Sequence, residues 1–501
     1  MTKERSARED SPDVGHGNIG EIEDIGGKQT CFRGEEIAPL RKGLLRWYDR
    51  NHRELPWRIN PHSQLKKTDL SDATDTVQEV PSKKRQKQGG KRVAPQEGPA
   101  GVPDTVLKES VLELAKAEGV ENRAYAVWVS EVMCQQTRVV VVMDYFRKWM
   151  EKWPTVGELA QATQEEVIQV WAGLGYYRRA RFLLEGAKYI MSTLGGRFPS
   201  TVPELLKVPG IGAYTAGAIA SIAFDVRAPV VDGNVVRVLS RLRAISGDPT
   251  EKGNVKVHWS LAEQLVDAIR PGCFNQALME LGAMVCTPTS PDCSGCPVSG
   301  HCQALKLAES GIGGPVTEFP GKKVKKAPRE ETVAVCVVEL RKGEKPGRSV
   351  EASPEYLLIQ RPKTGLLAGL WEFPTVSVAS KASKSVRRSA LDSLLARLLP
   401  GGYETSERHE VGEYVHVFSH VRQTMLIERL VITEMKSGQN GKGVKRQREG
   451  VGGELEDESE GSTPQTRWVP EEEMTSVGLT SGVKKVLDMA RKSRALTTQK
   501  S

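Results

Sequence analysis

The chain has 501 residues, 39% of them apolar and 27% charged, with a formal net charge of +8. That length holds two or three domains with proper cores, and the lack of any apolar run long enough to cross a bilayer excludes a helical membrane protein. The opening Met1-Thr2-Lys3-Glu4-Arg5-Ser6 mixes acids with bases and has no apolar core, which excludes a secretory signal.

Residues 1–35 are Gly- and charge-rich and read as a disordered tail. Residues 37–57 carry Leu40, Leu44, Leu45, Trp47 and Tyr48 at helical spacing and end at Leu55-Pro56-Trp57-Arg58. Residues 59–124 contain no aromatic residue and are rich in Lys, Gln, Gly, Pro and Asp through the middle, so they read as a largely disordered insertion, with a helix expected at 107–118. Within it Lys83-Lys84-Arg85-Gln86-Lys87 is a candidate nuclear localisation signal, and a solvated charge run is the plainer alternative.

From Tyr125 to about Arg270 the pattern becomes one apolar-periodic helix after another, punctuated by prolines, with no sustained alternation of period two. Thr155-x-x-Glu158 and Thr163-x-x-Glu166 have the form of capping boxes. In a helix, Glu131 shares a face with Val127, Trp128 and Gln135. A carboxyl held against such apolar surfaces keeps its proton toward neutrality and can serve as a general acid. Gly173-Leu174-Gly175-Tyr176-Tyr177-Arg178-Arg179 sets aromatic and basic residues beside two glycines; the plain reading is core aromatics and solvated arginines. Gly210 and Gly212 flank Ile211 in a turn between two helices, where backbone N–H groups and the following helix N-terminus suit a phosphate. Asp232, ahead of the helical run Val236–Leu242, is by itself an N-cap.

Cys286, Cys293, Cys296 and Cys302 stand as C-x6-C-x2-C-x5-C, while the other four of the eight cysteines are scattered singly. Four thiolates on so short a loop, broken by Pro288 and Pro291, suit a metal centre, either a [4Fe–4S] cluster or structural zinc. The all-α domain thus spans 36–302 and closes on this loop at 286–302. Residues 303–330 are a basic linker.

The pattern then switches to strands at Thr332–Leu340, Tyr356–Gln360 and Val411–Ser419, with a helix at 385–399, giving an α+β domain over 331–492. A basic-then-acidic stretch at 436–464 reads as a disordered loop inside it, and 493–501 as a tail.

Taken together, these motifs resemble the endonuclease III/MutY family of DNA glycosylases. The cysteine spacing is similar to that family's iron–sulfur loop, and Leu206 to Ala216 is similar to its helix-hairpin-helix. Trp128-Val129-Ser130-Glu131-Val132-Met133-Cys134-Gln135-Gln136-Thr137 narrows the likeness to MutY, the adenine-specific branch, whose motif carries the glutamate; Cys134 stands where that family has Leu. Leu357 to Lys363 and Gly369 to Pro374 resemble a Nudix-like domain, but the helix that follows has one acid, Asp392, too few to hold a hydrolase's metals. Phe418-Ser419-His420 resembles the loop by which MutY proteins read 8-oxoguanine.

The resemblance implies a monofunctional adenine glycosylase acting on adenine opposite 8-oxoguanine or guanine, monomeric on double-stranded DNA, holding a [4Fe–4S] cluster on the four cysteines. It implies catalytic roles for Glu131 and Asp232, positioned by Tyr214 and Asn234. DNA contacts fall to Gln136, Thr137, Leu174, Tyr176, Gly210, Gly212, Ser419 and His420. Tyr214 stands where lyase-type relatives place a Schiff-base lysine. The chain is expected in the nucleus and also in mitochondria, with repair and replication proteins engaging the linker and insertions. The alternatives are a bifunctional glycosylase–lyase, a non-catalytic damage binder and a Nudix nucleotide hydrolase.

Overall fold

The computed structural model describes residues 31–63, 119–322, 327–341, 353–362, 365–418, 420–433, 464–475, 477 and 479–498. The basic run at 83–87, the helix expected at 107–118, Ser419 and most of 436–464 lie outside the described residues. The helical part runs α1 (Gly34–Asn51), α2 (Gly119–Cys134), α3 (Val139–Lys152), α4 (Val156–Gln161), α5 (Gln164–Trp171), α6 (Arg178–Thr193), α7 (Val202–Leu205), α8 (Ala213–Phe224), α9 (Gly233–Leu242), α10 (Lys252–Leu265), α11 (Pro271–Met284) and α12 (Gln303–Glu309). Two compact units result: one holds α1 as far as Tyr48 with residues 231–267 and 276–323, the other the remaining helices and the C-terminal sheet. Among the described residues no helix is long and apolar enough to cross a membrane.

In the larger unit the centre is α2, buried from Ala124 to Val129 on every side, as a helix without a polar face must be. It packs on α8, whose AGAIASIA core of small side chains lets the two backbones approach. A β-carbon at Gly186 would sit 2.8 Å from the Trp128 ring and 2.9 Å from the Pro209 carbonyl, so α6 reaches this core only because it carries glycine there. Both expected capping boxes form: Thr155 and Thr163 each accept from the amide three residues on, and Glu158 and Glu166 return bonds of 3.1 and 2.9 Å. The first helix ends at Asn51, earlier than the expected 57, and Trp57 leaves the chain in a turn to pack edge-on against Phe146 at 5.1 Å.

The stretch read as a linker opens with α12, whose Ala304 is fully buried in the smaller unit. Beyond it come β1 (Arg329–Leu340), β2 (Glu355–Gln360), β3 (Trp371–Glu372), β4 (Thr375–Ser377), α13 (Lys384–Leu398), β5 (Glu404–Val417), β6 (Val421–Thr433), β7 (Thr466–Pro470) and α14 (Ser481–Thr498). The sheet has the order β3-β2-β1-β6-β5, with β4 also on β1 and β7 on β2; β1 and β6 run parallel and the other pairs antiparallel. Successive side chains of β1 face opposite sides. Val333, Val335 and Val337 join Ile427 and, from α14, Val486 and Leu487; Ala334, Cys336 and Val338 join Leu430 and, from α13, Leu391 and Leu395. A strand covered on both faces reads as an unbroken apolar run, which is why Thr332–Leu340 stood out in the sequence.

Candidate active site

Glu131 lies in the last turn of α2, half-buried, and its carboxylate accepts a hydrogen bond from the Tyr214 hydroxyl. Tyr214 is the second residue of α8, directly after the glycine turn. Gly210 takes φ +81°, and a β-carbon there would collide with that of Phe182, so no other residue fits the turn. Val208 and Ile211 are buried and anchor the turn, while the space beside Gly212, the N-cap of α8, is open. The first amides of α8 therefore stand at a bare surface suited to an anionic group. Burial, reinforced by the Glu131 charge, pushes the neighbouring Cys134 thiol up to about 12, which leaves it a neutral packing group.

Past α2 the chain turns through Gln136, at φ +56°, and Thr137, whose hydroxyl bonds the Gln135 carbonyl at 3.3 Å. Between α5 and α6 lies a second turn, with Gly173 at φ +104°, Gly175 at +78° and Tyr176 at +48°. Leu174 is folded inward at 6% exposure while Tyr176 stands 50% exposed. One side chain joins the two turns. Arg179, 8% exposed, gives Nη1 to the carbonyls of Val132 and Met133 (2.9 Å each) and Gln135 (2.5 Å), and Nη2 to Thr137 Oγ1 (3.2 Å) and the carbonyls of Leu174 (3.4 Å) and Gly175 (3.0 Å). It is not the solvated arginine that composition suggests; burial lowers its pKa to about 10, still charged at neutral pH.

In the smaller unit Asp232 is the N-cap of α9, as expected, with Oδ1 accepting from the Val235 amide at 2.7 Å. Its Oδ2 accepts from Asn234 Nδ2 at 2.8 Å, and Asn234 Oδ1 accepts from Arg237 Nη2 at 2.9 Å. Arg237 also donates to the carbonyls of Gly282 (2.6 Å) and Cys286 (2.7 Å), which ties the aspartate to the start of the cysteine loop. Burial pushes the Asp232 carboxyl above the usual aspartate range, and the Val235 and Asn234 donors pull part of the way back.

Cys286, Cys293, Cys296 and Cys302 line one small cavity with Arg241, Val285, Leu305 and Val316. Arg241 donates to Cys286 Sγ (3.3 Å) and to the carbonyls of Thr287 (2.7 Å) and Pro288 (3.0 Å), so a cation braces the loop beside its sulfurs. Among the described residues no group of three or more His, Cys, Asp or Glu side chains is set to hold a single metal ion. Four soft donors lining one cavity, with a partly apolar wall and a cation beside them, are the kind of donor set that an anionic iron–sulfur cluster takes.

In the sheet domain Phe418 and His420 sit at the turn from β5 to β6: the Phe418 amide donates to the Val421 carbonyl at 2.7 Å, and the His420 carbonyl accepts from the Arg329 amide at 3.0 Å. Tyr414, His416 and Phe418 form a row on one side of β5, with the last two rings edge-on at 4.5 Å. Asp392, the one acid of α13, is engaged by Arg408 at 2.6 Å. Arg237 and Arg241 were not singled out in the sequence, where each looks like any other helical arginine, and Arg179 stood there only as one of two basic residues beside the glycine turn.

Comparison with known proteins bears on the same segments. Residues 129–264 match the HhH-GPD superfamily of base excision DNA repair proteins, and residues 348–489 match the NUDIX domain. The chain is 39% identical over 495 residues to the adenine DNA glycosylase of Arabidopsis thaliana, covering 93% of this chain and 66% of that one. It is 38% identical over 501 residues to that of Rattus norvegicus (93% and 80%) and 38% identical over 493 residues to that of Homo sapiens (90% and 74%).

Proposed function

Because this chain belongs to the adenine DNA glycosylase family of monofunctional base excision enzymes, we propose that its substrate is adenine mispaired with 8-oxoguanine and that Glu131 and Asp232 carry the reaction. The observation that carries this reading is the Glu131 carboxyl on α2 hydrogen-bonded to Tyr214 at the head of α8. It couples a proton donor to the turn that suits a DNA phosphate and puts a phenol, not an amine, beside it.

In the proposed reaction the adenine is swung out of the duplex, and Glu131 gives its proton to the base at N7. The glycosidic bond breaks with its electron pair leaving on adenine, and positive charge develops on the deoxyribose. The Asp232 carboxylate, fixed by the Val235 amide and Asn234, offsets that charge. Water then adds at the sugar carbon and returns a proton to Glu131. An abasic site remains, with the strand uncut. The loop of Phe418 to His420 would read the opposite base.

The test is single-turnover release of adenine from duplexes with adenine opposite 8-oxoguanine, guanine or thymine. The expected order is fastest opposite 8-oxoguanine and none opposite thymine; equal rates opposite 8-oxoguanine and thymine would refute the reading.

The four cysteines of the loop would hold a [4Fe–4S] cluster, which would brace the loop and, through the Arg237 bond to the Cys286 carbonyl, the start of α9. The purified protein is expected to be brown and to contain iron and acid-labile sulfide in equal amounts without zinc; a colourless zinc protein would overturn this assignment.

A further inference from the structure

Arg179 is a buried cation whose partners are backbone carbonyls, one hydroxyl and two ring faces, and none of the hydrogen bonds goes to a carboxylate. Burying an arginine in this way is costly, the more so because its Nε is buried without a hydrogen-bond partner; what the two Nη groups secure in return is geometry. Its acceptors fall in two groups. The carbonyls of Val132, Met133 and Gln135 are at the C-terminal end of α2, where carbonyls lack helical partners and the helix dipole is negative. The carbonyls of Leu174 and Gly175 belong to the turn before α6. The guanidinium carbon also lies 5.1 Å from the Trp171 ring and 5.4 Å from that of Tyr176.

Each group leads into a residue other than glycine in the left-handed region, Gln136 at φ +56° and Tyr176 at φ +48°. Such conformations persist only where the surroundings impose them. Here the imposing group is shared, so the separation of the two turns is set by one planar fork.

We infer that Arg179 is a positioning residue for extrusion of the adenine: its guanidinium holds the Gln136–Thr137 turn and the Leu174–Tyr176 turn at the spacing that lets them enter the duplex together. This rests on the reading that those turns wedge the bases beside the extruded nucleotide. Extrusion costs unstacking and unpairing, and the wedge must be in place to offset it. A lysine keeps the charge but not the fork and cannot reach both groups of carbonyls in one orientation.

The experiment uses the full chain with Arg179→Lys, beside Gln136→Ala and Tyr176→Ala. Extrusion is read from the fluorescence of 2-aminopurine in place of adenine, and chemistry from single-turnover release of adenine. Arg179→Lys is expected to keep the helical circular dichroism and the binding of undamaged duplex. It should lose the fluorescence rise and slow release by ~10²-fold, the penalty of a small misplacement. A bulged adenine that is already unpaired should restore most of the rate, which a loosened fold would not allow.

Extrusion at the wild-type level in Arg179→Lys, or an equal loss on the bulged substrate, would overturn the inference. If Gln136→Ala and Tyr176→Ala abolish extrusion and Arg179→Lys does not, the wedge stands and only the role of Arg179 falls. If both alanine variants extrude normally, the wedge reading falls and takes this inference with it. Should Arg179→Lys fail to fold, Thr137→Val removes one of the acceptors. It must then lower extrusion at an unchanged melting temperature, and failure to do so rejects the inference.

Discussion

Replacement of Glu131 by glutamine is expected to slow adenine release by ~10²–10⁴-fold, the range that a general acid supplies, with duplex binding retained. The substitution is close to isosteric. The amide oxygen can still accept from Tyr214, so the tie between α2 and α8 survives. What disappears is the proton. Adenine then departs as an anion or waits for a proton from water, and both routes have a higher barrier. Single-turnover release by wild type and variant, with gel-shift binding to the same duplex, separates the step from the encounter. A variant that turns over normally would remove Glu131 from the mechanism. One that neither binds nor releases would show that the carboxylate serves the fold.

The second large effect is expected at Asp232, where two functions share one side chain. Asparagine caps a helix about as well as aspartate, and its amide oxygen can still accept from the Val235 amide now bonded at 2.7 Å. Asp232→Asn keeps the cap but loses the bond accepted from Asn234, so it should stay folded and melt only a little below wild type. The negative charge beside the developing cation is lost, and release should fall by ~10²–10³-fold, as when one preorganised electrostatic group is removed. The pH dependence follows from the same site. The working form is the carboxylate, and burial holds the Asp232 carboxyl above the ordinary aspartate range. On acidification its charge is lost at a higher pH than a solvent-exposed aspartate would show, so the acid limb of the single-turnover rate lies correspondingly high. In Asp232→Asn that limb should be missing from the residual activity. If the variant melts early and its slow release tracks unfolding, the residue is a cap alone.

How much of this could be read beforehand depended on whether the cause was local. The capping boxes at Thr155 and Thr163 need only four consecutive residues, and both formed. Asp232 as the cap of α9 is local in the same sense. The cysteine spacing is compact enough that the loop itself brings the sulfurs around one cavity.

The long strand β5 was half missed. Its first part, Glu404 to Glu410, is polar and largely exposed, and it is held by the ladder to β6 through two irregularities in register, not by apolar burial. The arginines were missed for a stronger reason. Arg179 finds its acceptors at residues 132–137 as well as 174–175, and Arg237 finds one at Cys286. No periodicity of a helix announces what a side chain meets across the fold. The turns that Arg179 joins were visible from their glycines and aromatics; that they are joined was not.

The parallel pairing of β1 with β6 also bears on how the C-terminal domain is made. Glu339 of β1 and Arg429 of β6, two positions apart in that ladder and joined by a buried ion pair at 2.9 Å, are 90 residues apart in the chain. During synthesis β1 emerges long before its neighbour, and only its other edge can pair early, with β2 and β4. Until β6 leaves the ribosome, a valine-rich strand presents a bare row of amides and carbonyls. The nascent domain is thus expected to be open to edge pairing with other chains until β6 has emerged.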